Sequence, residues 1–187
     1  MNYLRLSMAV AAAATVALTG CSTTTVNAKS EPTYEDAANS KFMNVNREAI
    51  NRLVAGVDVT KLAGTPVLVA TVVNVNDLRR AAPLGRTLSE QYVSFMVASG
   101  FNVKELKLRG DVFVREETGE MMLSREVKDI ARAHSAGLVV VGTYSTAAQF
   151  TYISLKLVRT DTGQILRGHD YALPNDADVS RLLQAPR

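Results

Sequence analysis

The longest apolar run of this chain comes first. Leu6 to Leu18 is broken only by Ser7 and Thr15 and follows a short segment carrying Arg5. At 13 residues this run is shorter than a membrane-spanning helix requires, so it reads as the core of a signal peptide. Ser22 to about Ser40 has no apolar period and is rich in Ser, Thr, Asn, Glu and Ala, the composition of a flexible tether.

Helical spacing begins at Lys41. Phe42, Val45, Ala49 and Leu53 fall on one face, and Glu48 with Arg52 forms an i,i+4 pair. Pro66 to Val73 is a continuous apolar run rich in β-branched residues, as expected of a strand buried on both faces and covered by helices. Pro83-Leu84-Gly85 then reads as a turn into a helix, with Thr87 and Glu90 at capping-box spacing. Leu88, Tyr92, Phe95, Met96 and Ser99 keep the helical period, and Gly100 ends it. Val103 to Arg109 alternates in part, Asp111 to Arg115 suggests a short strand, and residues 117–120 a turn.

Ser124 is the expected N-cap of a further helix, with Leu123, Val127, Ile130, Ala131 and His134 on one face and Gly137 closing it. Leu138 to Val141 is a second central strand. Tyr152 to Arg159 and Gln164 to Tyr171 flank residues 160–163 as a hairpin, and a short last helix carries Val179, Leu182 and Leu183. The predicted order is α-β-α-β-(β)-α-β-β-β-α. It places the chain in the α/β class: one domain, a mixed β-sheet packed with helices in two or three layers, and a C-terminal β-hairpin. The expected organisation is a signal peptide over 1–20, a tether over 21–40 and the α/β domain over 41–187.

Composition narrows the chemistry. The net charge of +3 is too mild to demand a nucleic-acid partner, and aromatics at 6% without Trp weaken a base-stacking or sugar-platform reading. One Cys excludes an intrachain disulfide and a multi-thiolate zinc site, and two His leave little for a metal centre. His134 on an apolar helix face reads as a packing residue. His169 and Asp170 are strand neighbours that point to opposite faces, a poor couple. Ser124 lacks a nucleophile-elbow setting. Glu116, Glu117 and Glu120 read as a solvated acidic loop, whereas Lys104, Lys107, Arg109 and Arg115 form a basic strip open to solvent, anionic lipid or an acidic partner. Lys156 and Arg167 fall mid-strand in the hairpin, which favours an ordinary sheet edge over a membrane-inserted one. No catalytic residue, metal or cofactor is expected.

Leu18-Thr19-Gly20-Cys21 resembles the lipobox of bacterial lipoproteins. The resemblance implies that Cys21 takes a diacylglyceryl group, that the chain is cut before it, and that its new amine is acylated. The alternative is an ordinary secretory cleavage site with an incidental Cys. The only Cys of the chain stands at the one position that lipidation needs, which favours the former. Several acyl chains give stable membrane attachment where one is marginal. Ser22, in place of an inner-membrane retention Asp, implies the outer membrane, with the domain on its periplasmic face.

From about Asn51 to Leu183 the chain carries Val69-Ala70-Thr71-Val72-Val73 with Asn76-Asp77-Leu78, Pro83-Leu84-Gly85-Arg86 with Ser89-Glu90-Gln91, Gly100-Phe101-Asn102-Val103, and Gly119-Glu120 with Leu123-Ser124-Arg125. With Val141-Gly142-Thr143-Tyr144-Ser145 and Thr162-Gly163-Gln164-Ile165, this stretch resembles the FlgO-type outer-membrane lipoproteins associated with bacterial flagella. The resemblance implies a non-enzymatic envelope component that supports flagella and motility, with no catalytic residues to carry over. Its implied partners are outer-membrane lipid through Cys21 and flagellar or other envelope proteins, and oligomer formation stays open. Asp161-Thr162-Gly163 and Gly142-Thr143-Tyr144 also recur in curli-secretion and penicillin-binding-protein-activator lipoproteins. Regulation of a peptidoglycan synthase, or service in another envelope or secretion assembly, is therefore the alternative.

Overall fold

The computed structural model describes residues 31–62, 64–78, 81–106, 113–115, 121–123 and 125–184. The signal-peptide, Cys21 and Ser124 assignments lie outside these residues, as do those at Lys107, Arg109, Glu116, Glu117 and Glu120. Helix α1 (Tyr34–Ala38) falls within the stretch read as tether. It is set by a capping box in which the Asp36 N–H donates to Thr33 Oγ1 at 3.2 Å and the Thr33 N–H donates to Asp36 Oδ2 at 2.9 Å. None of its residues is buried, so apolar spacing could not signal it.

Helix α2 (Lys41–Leu53) starts at Ser40, whose Oγ accepts from the Met43 N–H at 3.2 Å. Its core-facing residues are Asn46, Ala49, Ile50 and Leu53, while Val45 from the expected stripe is exposed. The Glu48–Arg52 pair forms at 2.7 Å on the solvent side. A 3₁₀ turn over Val59–Leu62 leads to the sheet.

Strands β1 (Val67–Ala70), β2 (Val73–Asn74) and β3 (Val103–Leu106) belong to a six-stranded sheet with the later β6 (Leu138–Thr146), β7 (Phe150–Arg159) and β8 (Ile165–Pro174). The order is β3-β1-β6-β7-β8, with β2 also against β6. Pairing is parallel among β1, β2, β3 and β6, and antiparallel from β6 through β8. Strands β4 (Phe113–Arg115) and β5 (Met121–Leu123) form a separate antiparallel pair. The sequence reading missed β5 and assigned Leu123 to the next helix.

The apolar run expected as one strand is interrupted. Val69 pairs with Val140 but Val73 pairs with Thr143, so β1–β2 carries one extra residue, a bulge. The Val72 N–H finds a side-chain partner there, donating to the buried Ser89 Oγ at 2.9 Å, and Ser89 in turn donates to the Gly85 carbonyl at 2.8 Å. Helix α3 (Pro83–Ala98) docks on this bulge. A Cβ on Gly85 would lie 2.0 Å from the Val72 carbonyl oxygen, so only glycine permits the approach.

Thr87 is not the N-cap of α3. The helix begins four residues earlier at Pro83, and Ala82 at the cap makes no side-chain bond. Pro83 supplies the start because its fixed φ suits the first helical position and it has no amide to orphan. Burial of Leu84 and Leu88 then keeps that first turn helical. Gly100 ends the helix as expected, at φ 87°.

Helix α4 (Arg125–Ala133) closes at Ser135 rather than Gly137. Ser135 takes the left-handed φ of 51°, and the Ala136 N–H donates back to the Ala131 carbonyl at 2.8 Å. The hairpin β7–β8 is longer than expected at both open ends, and Leu166 is an extra residue between the Leu157–Arg167 and Val158–Ile165 pairs. Helix α5 (Ala177–Leu183) is capped by Asp176, whose Oδ1 accepts from the Val179 N–H at 2.9 Å.

Side chains alternate across the sheet and so feed two cores. Val67, Val69, Val140, Leu155 and Leu157 face Ile50, Leu53, Leu88, Tyr92 and Met96 of α2 and α3. Leu68, Ala70, Val139, Val141 and Val158 face Val127 and Ala131 of α4. The layering is thus threefold over the parallel strands. Beyond Val141 and Val158 the outer sheet face is open, with Ser145 and Tyr152 exposed.

Candidate functional site

Among the described residues no group of three or more His, Cys, Asp and Glu side chains is placed to hold a metal. His134 is exposed, so the expectation that it packs on the apolar face of α4 is corrected. The helix ends one residue before it, and the turn at Ser135 carries it away from the core. His169 and Asp170 face opposite sides of β8 as expected. His169 stacks on Tyr171 with ring centroids 6.2 Å apart, whereas Asp170 accepts a hydrogen bond from the Ser154 hydroxyl on the other face. Lys104 of the expected basic strip is exposed.

A largely buried polar constellation joins three elements under the sheet. Tyr171 of β8 donates its O–H to Asn46 Oδ1 of α2 at 2.7 Å, so the Tyr92 hydroxyl of α3, bonded to the Tyr171 hydroxyl, must be the donor of that pair. Asn46 Nδ2 donates to Gln91 Oε1 at 2.7 Å, and Gln91 Nε2 meets the Met43 sulfur at 3.0 Å. Burial pushes the Tyr92 hydroxyl pKa well up, reinforced by Tyr171, and burial also pushes Tyr171 up. Both phenols stay protonated at neutral pH. The network fixes how α2 and α3 sit against β8 and offers no general base. Sequence reading placed Tyr92 on the buried face but missed Asn46, Gln91 and Tyr171, because polar residues carry no apolar period.

Further polar ties hold the hairpin. The buried Thr151 donates to Asn175 Oδ1 at 2.7 Å, and Asn175 Nδ2 donates to the Ala147 carbonyl at 2.7 Å, stapling the β6–β7 turn to the end of β8. At the other end the Thr160 hydroxyl donates to the Ala136 carbonyl at 2.6 Å. Arg159 holds the Asp161 carboxyl well below the usual carboxylate range through a 2.6 Å hydrogen-bonded pair on the surface. At the β6–β7–β8 end the outer face of the sheet exposes Ser145 and Tyr152. A groove of about 520 Å³ lies there, lined by Val75, Thr143, Ser145, Tyr152, Ser154 and Asp170.

Comparison with solved structures finds the LpoB C-terminal domain from Salmonella enterica at TM-score 0.51 and 17% identity, covering 70% of this chain and 97% of that one. The LpoB C-terminal domain from Escherichia coli follows at TM-score 0.49 and 16% identity, covering 71% and 98%. A PelC dodecamer from Paraburkholderia phytofirmans matches at TM-score 0.41 and 13% identity, covering 59% and 72%. The first likeness shows a shared fold. Comparison with the curated proteins gives no match. The FlgO protein family matches residues 47–178, from α2 to α5 and through the bulge, Gly85, Ser89 and Gly142, and the chain therefore belongs to the FlgO family.

Proposed function

We propose that this chain is a non-enzymatic lipoprotein of the outer membrane that supports flagellar assembly, stability and motility. It does so by binding other proteins near the flagellar outer-membrane ring. The observation that carries the reading is family membership across residues 47–178, which supports an envelope lipoprotein. The lipobox ending at Cys21 supports the anchor, and the exposed Ser145 and Tyr152 on the outer face of the sheet suit contact with a partner. The roughly 20 residues between Cys21 and α2 reach at most about 70 Å, at about 3.3–3.6 Å each, which favours partners close to the membrane.

The test is a deletion strain, scored for swimming in soft agar and for flagella counted by electron microscopy. Poor swimming with missing or fragile filaments, restored by the wild-type gene but not by Cys21→Ala, is the expected result. Normal flagella and swimming would transfer the assignment to regulation of a peptidoglycan synthase or to another envelope assembly.

A further inference from the structure

The open outer face of the sheet is patterned in a way that scaffolding alone does not use. The register of β6, β7 and β8 sets Thr143, Ser154 and Asp170 side by side in one row, and Ser145, Tyr152 and Ala172 in the next. Phe150 pairs with Pro174 at the end, its ring tilted 47° to that of Tyr152 with centroids 6.5 Å apart. Tyr152 is 54% exposed and Phe150 41%, whereas Ile153, Leu155 and Leu157 on the opposite face of β7 are buried. The groove of about 520 Å³ over these rows has Val75 at one wall and Ala172 at the other. Overall aromatic scarcity argued against a sugar platform, but the register gathers two of the few rings at this one place.

We infer that this groove binds a glycan of β-linked N-acetylhexosamine units, with a pyranose ring on Tyr152 and its hydroxyls on the Thr143–Ser154–Asp170 row. Three features favour this ligand. The Ser154 hydroxyl donates to Asp170, so Ser154 and the carboxylate present mainly acceptors, matching a ligand rich in O–H donors. The negative face of the exposed Tyr152 ring suits the weakly positive C–H face of a pyranose. Val75 and Ala172 add apolar side chains to the lining, against which an acetamido methyl can pack.

The test is calorimetric titration of the lipidated chain in detergent micelles with chitotetraose, alongside co-sedimentation with purified peptidoglycan sacculi. Saturable binding that weakens at least tenfold in both Tyr152→Ala and Asp170→Asn, each with an unchanged melting temperature, is expected. Retention on sacculi would place the glycan in the cell wall, and tetrasaccharide binding without retention would place it in a free polysaccharide. No saturable binding, or equal binding by wild type and both variants, overturns the inference. So does a Tyr152→Ala protein that loses a protein partner but binds chitotetraose unchanged.

Discussion

Replacing Tyr171 by Phe removes one oxygen from the centre of the polar network and changes little else. Asn46 Oδ1 loses the donor 2.7 Å away, and the Tyr92 hydroxyl loses its acceptor. Asn46 and Tyr92 are both fully buried, so water cannot take the vacated place without opening the α2–α3–β8 junction. An unsatisfied buried polar group costs about 1–3 kcal/mol, and Tyr171 itself is only partly buried, so the pair of losses should cost about 2–3 kcal/mol. At about 2–4 °C per kcal/mol for a domain of this size, the melting midpoint should fall by about 5–10 °C. Tyr152→Phe, at an exposed position, is the control and should stay within about 0.5 kcal/mol.

Alkaline titration adds a second readout. Both phenols are raised above their ordinary value of about 10, so the folded state keeps protons that the unfolded chain releases. Their contribution is complete below about pH 10 and is lost as pH rises toward the folded pKa values, at about 1.4 kcal/mol per pH unit for each tyrosine. Tyr171→Phe should make that alkaline slope shallower. A variant that melts with the wild type, and loses stability with the same slope above pH 10, would refute the network as drawn.

Gly85→Ala puts a methyl into backbone at the bulge and should cost about 3 kcal/mol by urea denaturation. Gly142→Ala meets the movable Leu155 side chain at 2.8 Å and should cost less, and a reversed order would show that the α3–bulge contact is slack. Asp176→Ala should remove about 0.5–2 kcal/mol as the cap of α5, read from the same midpoints. Thr87→Ala lies inside α3 and should change stability by no more than about 0.5 kcal/mol, so a loss of 1 kcal/mol or more would restore it as a cap.

The sequence announces its sheet more clearly than its polar fittings. The β-branched run at Pro66–Val73 and the short run at Leu138–Val141 are apolar because both faces of the parallel strands are covered, and the hairpin declares itself by its turn. The bulge inside the first run was invisible, since it arises from the register against β6 and from Ser89 waiting on a helix. The α3 start was misread because capping spacing at Thr87 is a local signal, overridden by Pro83 and by burial of Leu84. Asn46 and Asn175 look like surface residues until tertiary structure brings them partners. The quoted family pieces around Val72, Gly85, Ser89, Gly142 and Tyr144 converge on the bulge, so they report packing at one junction.

The most direct test of the central claim is where the protein sits. Immunogold labelling of the native protein in flagellated cells should place gold at the flagellar bases of the outer membrane, with Cys21→Ala dispersing it. Gold spread evenly over the envelope, or label that stays at the bases without Cys21, would contradict a lipid-anchored flagellar role.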